Sequence, residues 1–214
     1  MDYLLSKILM IPAILIGFTF HEYAHAKMAD KLGDKTPRFQ GRLNLNPINH
    51  IDPIGMLMIL FVGIGWAKPV QVNPSAFKNQ YKDDLKVSLA GPLANLAVAF
   101  FGGILVFIIM VLANYGILRG TLFQILFSIS MQIISINAML FVFNLLPLPG
   151  LDGFSIFRDL SPKHFYRLSD KIYQYQFFIL IAIIFVGGPI ISIPVRFVTN
   201  IIMNLAQMLL MFIF

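Results

Sequence analysis

The chain has 214 residues, of which 58% are hydrophobic, 14% aromatic and 12% charged, where a soluble domain carries roughly 25% charged residues. That excludes an ordinary soluble globule, and the absence of cysteine removes disulfides, thiolate nucleophiles and cysteine-held metals together. The net charge of +6 comes from basic residues scattered beside lipid-length apolar runs, which points to membrane orientation rather than to nucleic acid.

Residues 3–26 read as a first apolar helix and span. A cleaved leader is not expected, because the apolar run after Lys7 leads into His21, Glu22 and His25 instead of a small-residue cleavage site. Turn signals at Gly33-Asp34, Thr36-Pro37, Asn46-Pro47 and Asp52-Pro53 end that span. Alternation of Phe39, Gly41, Leu43 and Leu45 with polar neighbours predicts a strand over residues 38–46, and a shorter one is predicted at 69–73. Between them, residues 54–66 are apolar but short, as in a re-entrant segment. Further spans are expected at 87–113, with Pro92 near the start, at 121–143, and at 173–186. The last of these is interrupted by Gly187-Gly188-Pro189 and Pro194, and residues 195–214 form either a fifth span or an interfacial helix. The expectation is an all-α polytopic membrane protein, one domain over residues 1–214, with four to five spans and short strands or a re-entrant segment between the first two.

The segments 27–86 and 144–171 hold 13 of the 16 basic residues, against Lys7, Arg119 and Arg196 on the other side. The positive-inside rule makes that richer side cytoplasmic. The end of the first span and the loop after the third then share one face of the membrane.

That face carries His21-Glu22-Tyr23-Ala24-His25, an H-E-x-x-H pattern whose two imidazoles, at i and i+4, stand on one helical face and can share a metal. Given four histidines and one glutamate in the chain, chance supplies the pattern with an expectation on the order of 3 in 10,000. Imidazole and carboxylate without thiolate suit zinc, and iron, cobalt and manganese accept the same ligand types. A catalytic zinc needs three protein ligands and an open position, so with Glu22 assigned to proton transfer one ligand is still missing. Asp152, His50, Asp52, His164, Asp159 and Asp170 offer suitable atoms. Asp152 is the best placed, after the third span on the same face and inside the apolar frame Leu148-Pro149-Gly150-Leu151-Asp152-Gly153.

The ordered set His21-Glu22-Tyr23-Ala24-His25, Ala90-Gly91-Pro92 with Asn95, and Asn144-Leu145-Leu146-Pro147-Leu148-Pro149-Gly150-Leu151-Asp152-Gly153 resembles the site-2 protease family of intramembrane metalloproteases. The stretches 41–52 and 65–70 are similar to its small bacterial and archaeal members, without a PDZ-like or CBS-type domain. The resemblance implies a Zn²⁺ cofactor held by His21, His25 and Asp152, with Glu22 as general base and Asn95 and Asn144 near the substrate. It also implies membrane-anchored protein substrates in a lipid bilayer, no nucleic acid, and a multi-pass cell-membrane location with the site toward the cytoplasm. The oligomeric state is not legible. The alternative from a different class is a metal transporter using the same His/Glu/Asp cluster, which would need a polar path across the bundle.

Overall fold

The computed structural model describes residues 3–63 and 65–214. In chain order these form α1 (Tyr3–Leu32), α2 (Thr36–Phe39), α3 (Pro47–His50), α4 (Pro53–Val62), a 3₁₀ turn at Pro74–Ala76, α5 (Gln80–Asn114), α6 (Gly120–Asn144), α7 (Asp152–Leu160), α8 (Pro162–Val186) and α9 (Gly188–Met211). Four stretches are long and apolar enough to cross a membrane among the described residues: Lys7–Leu32, Gln80–Asn114, Gly120–Asn144 and Gly188–Met211. At 1.5 Å per residue each exceeds the roughly 30 Å of hydrocarbon that must be crossed.

Helices α1, α5 and α6 pack on one another, and α9 lies against α5 and α6. Small residues let these backbones approach, as expected where lipid offers no hydrophobic drive for association. Ala13 meets Val98 and Ile133, while Ala99 packs with Val106, Ile134 and Ile202. Near the middle of α1, Ile14 and Phe18 cover Ile51. The interhelical core therefore reaches the segment joining α1 to α5.

That joining segment departs from the sequence reading. Neither 38–46 nor 69–73 is a strand; among the described residues the sole bridge is an isolated antiparallel one between Ile51 and Ala67. The cause is local side-chain chemistry. Asp34 accepts the Thr36 amide at 2.9 Å and Pro37 sits in the first turn, which starts α2. Asn44 then folds the chain back, donating to the Gly41 carbonyl and accepting the Asn46 amide, and Asn46 and Asp52 cap α3 and α4. The short apolar segment is the helix α4.

Helix ends also move. α1 continues past residue 26 to Leu32, and α5 begins at Gln80, so Pro92 lies inside it rather than near its start. The break narrows to Gly187, because Gly188, Pro189 and Pro194 lie within α9, and among the described residues the fourth span-length apolar stretch is Gly188–Met211 rather than the expected 173–186, which falls in α8.

Candidate metal centre

His21 and His25 stand one turn apart on α1, both buried, with their Nε2 atoms 3.0 Å from each other and their rings edge to face at 4.6 Å. Asp152, the first residue of α7, brings Oδ2 to 3.2 Å from His21 Nε2 and Oδ1 to 3.2 Å from His25 Nε2. These three residues form the metal-capable group among the described residues. Space for them is made by Gly91 on α5: a Cβ there would stand 2.2 Å from His25 Nε2 and 2.6 Å from His21 Cε1. Any side chain at position 91 would occupy the ligand positions.

The hydrogen bonds fix which nitrogens are free. His25 Nδ1 lies 2.8 Å from the Val87 carbonyl, an acceptor only, so Nδ1 carries the proton. His21 Nδ1 lies 2.7 Å from Asn95 Oδ1, while Asn95 Nδ2 donates to the Gly17 carbonyl, so that amide too faces His21 with its oxygen. In neutral imidazoles both Nε2 atoms then present lone pairs to each other. The facing Asp152 Oδ2 is buried and has no hydrogen-bond donor. The two Nε2 lone pairs face each other, and Oδ2 faces that of His21; without a proton between them such atoms repel, and a cation removes that repulsion. Ligand atoms bound to zinc at about 2.0–2.1 Å stand about 3.4 Å apart in a tetrahedron, close to the separations found. The residues fit a zinc ion, with each imidazole oriented through its other nitrogen.

Glu22 is buried beside the pair. Its Oε2 accepts the Val70 amide at 2.7 Å and lies 3.7 Å from Arg42 Nη2. Arg42 is itself buried, and its guanidinium donates to the Lys68 and Pro69 carbonyls. Residues 65–72 thereby form one wall of a cavity of about 410 Å³, whose other walls include His21, Glu22, His25, Asn144 and Asp152.

Comparison with known proteins places this chain in a family. Among its relatives is YwhC of Bacillus subtilis, named as a candidate zinc metalloprotease, 41% identical over 81% of this chain and 78% of that protein. This chain belongs to the site-2 protease-like family of zinc metalloproteases. Another relative so named is MJ0611 of Methanocaldococcus jannaschii, 30% identical over 70% of this chain and 69% of its own. Rip2 of Mycobacterium tuberculosis, also so named, is 30% identical over 69% of this chain and 55% of its own length. No family profile matches the chain, and no solved structure matches it significantly.

Within this site-2 protease-like frame, the other sequence candidates fall in different places. Asn144 lines the cavity and donates to the Leu140 carbonyl within α6. Asn95 is fully buried, and its amide is shared among His21, Gly17 and Asn137, so it faces a histidine. Of the six candidates for a third ligand, Asp152 joins the histidines. His50 is fully buried with Nε2 donating to the Asn44 carbonyl at 2.7 Å, and burial holds its imidazole below the usual range. Asp52 caps α4, Asp159 accepts from Arg158, His164 is exposed beside Ser161, and Asp170 is exposed.

Three contributors were missed by sequence reasoning. Gly91 lies inside a recognised motif, but its reason is the approach of α1 to α5. Arg42 looked like one of many scattered cations. Arg158, near the far end of α7 from Asp152, pairs with buried Asp84 on α5 and so ties the helix carrying Asp152 to the bundle.

Proposed function

We propose that this chain is a zinc-dependent endopeptidase, one integral multi-pass domain over residues 1–214, that cuts membrane-anchored proteins within or beside their spans from a site near the cytoplasmic face. The observation that carries this reading is the convergence of two imidazole lone pairs and a carboxylate with one buried oxygen lacking a donor, beside a buried glutamate. His21, His25 and Asp152 are the metal ligands in this reading, and Glu22 is the acid–base residue. A zinc ion there supplies Lewis acidity, which makes water nucleophilic near neutral pH and polarises a peptide carbonyl.

The chain's own residues do the rest. Asn95 and the Val87 carbonyl hold the imidazole protons on Nδ1, away from the ligand face. Glu22, within the same cavity, takes a proton from attacking water and returns it to the leaving amine. The Val70 amide and Arg42 stabilise its carboxylate and keep it turned toward the cavity wall. Asn144 is at hand in the same cavity for substrate backbone. Peptide cleavage requires an extended substrate, because a helix hides its carbonyls in internal hydrogen bonds. Residues 69–73 lack strand partners and line the cavity through Pro69, Val70 and Val72, which supports their use as a docking edge.

The excess of basic residues on the segments 27–86 and 144–171 supports a cytoplasmic orientation. The transporter alternative is not favoured: Asn95 and Asn137, the polar side chains deepest in the bundle, are fully buried and bonded to each other rather than aligned along a path. Metal analysis of the purified chain, paired with cleavage of a panel of single-span proteins, tests the proposal. Zinc together with zinc-dependent cuts near spans is expected; zinc with no cleavage of any span-bearing protein contradicts it.

A further inference from the structure

We infer that Asn137, on α6, is a positioning residue for the metal centre, acting through Asn95 to fix the ring of His21. The inference rests on the reading of His21 as a ligand. α6 supplies none of the three metal-capable side chains, yet a hydrogen-bond chain starts on it. Asn137 Nδ2 donates to the Ile133 carbonyl of its own helix at 2.9 Å, which turns its Oδ1 toward Asn95. Asn95 Nδ2 donates to that oxygen at 3.0 Å and to the Gly17 carbonyl at 3.0 Å, so both amide hydrogens are used. One role is left for Asn95 Oδ1, which accepts from His21 Nδ1 at 2.7 Å.

The chain has one direction because it begins at two backbone carbonyls, which can only accept. It places the proton on His21 Nδ1 and the lone pair on Nε2. It also references the ring to three helices at once: α1 through Gly17, α5 through Asn95 and α6 through Asn137. His25 differs, since a single bond to the Val87 carbonyl does the same for it.

Packing at this level holds the amide in place. Asn95 and Asn137 are both 0% exposed. A Cβ at Gly17, one turn before His21, would stand 2.9 Å from Asn137 Oδ1 and 2.9 Å from Leu140 Cδ1. Helices α1 and α6 thus approach closely at the Asn137 oxygen, and a methyl group at position 17 would crowd it. An interhelical polar contact that only glued the bundle together would change its stability without touching metal affinity.

The experiment measures zinc affinity of the full-length chain in detergent, by competition with a chromogenic chelator, beside thermal unfolding of the metal-free protein. Outer partners of metal-ligating histidines typically change affinity 10- to 100-fold, and Asn137→Leu, one residue further out, should weaken zinc binding by about tenfold. Asn95→Ala should weaken it at least as much, and adding Asn137→Leu to it should weaken it no further. Asn137→Asp, neutral in this apolar setting, keeps both a donor and an acceptor and should bind zinc within about twofold of wild type. Where Asn137→Leu does not fold, Gly17→Ala displaces the same oxygen and should show the same loss and the same lack of additivity with Asn95→Ala. Wild-type zinc affinity in Asn137→Leu, or a loss that multiplies fully with Asn95→Ala, overturns the inference. A wild-type chain that takes up no zinc overturns the metal reading itself and this inference with it, an outcome distinct from either.

Discussion

The interior of the bundle and the segment between α1 and α5 meet one requirement in opposite ways. Buried polar groups must be paired in both. Inside the bundle the helical ladder satisfies the backbone by itself, so His21, His25 and Asn95 are free to be aimed at one another across helices. Among the described residues between 33 and 79 there is no strand ladder, and side chains take its place. Asp34 accepts the amides of Thr36 and Asn73, Arg42 takes the carbonyls of Lys68 and Pro69, and Gln40 reaches Gln71. In the bundle His21, His25 and Asn95 gather at the candidate metal centre, whereas the polar residues of the segment mostly bond their own backbone. Glu22 is where the two meet, on a bundle helix but bonded to the segment's Val70 amide.

Glu22→Gln separates chemistry from structure most sharply. Glutamine keeps an oxygen for the Val70 amide and should leave zinc bound, while cleavage falls by about 10²- to 10⁴-fold. Zinc stoichiometry beside a cleavage rate checks this, and wild-type turnover would reject Glu22 as the acid–base residue. Next comes Gly91→Ala, which breaks the bundle side alone. Its new methyl would meet His25 Nε2, so zinc affinity should drop on the order of 100-fold while amide protection over residues 65–73 stays as in wild type. Normal zinc uptake would mean that α5 does not approach the histidines as described.

Arg42→Met acts on the segment and on Glu22, where segment and bundle meet. It strips two carbonyls and the Glu22 carboxylate of their cation, a local cost of about 2–3 kcal/mol. Hydrogen exchange over residues 65–73 should accelerate while zinc affinity holds within about twofold; unchanged exchange would remove Arg42 from its clamping role. The smallest effect is expected from Val72→Pro. Loss of one amide donor on the docking edge should weaken cleavage by about tenfold and leave zinc untouched. Undiminished cleavage in that variant would argue against docking at residues 69–73.

What could be read from the sequence follows the range of the interactions. The His21/His25 pair was legible because i and i+4 share a helical face wherever the helix goes. Asp152 was visible as the best-placed carboxylate, in an apolar frame on the same face as the end of the first span, and the motif resemblance strengthened that choice; its contact with the histidines of α1 is made only by the fold. The strands predicted at 38–46 and 69–73 failed for a physical reason. Alternation records polarity, and here the polar members, Asn44 and Asn46, turn or cap the backbone instead of facing water across a sheet. Helix starts were misplaced where apolarity stood in for helicity: residues 80–86 are mostly polar, yet they carry the first turns of α5. The partner of Asn95 lay 42 positions away on α6, beyond any local pattern.

In the reading proposed above, His21, His25 and Asp152 together hold one zinc ion used for proteolysis. Zinc stoichiometry of the purified chain and of Asp152→Ala, measured side by side with cleavage, tests it most directly. One zinc per chain is expected in the wild type, with zinc and cleavage lost together in Asp152→Ala, because two imidazoles alone do not complete the three-ligand set. Full zinc occupancy with Asp152 removed would contradict it.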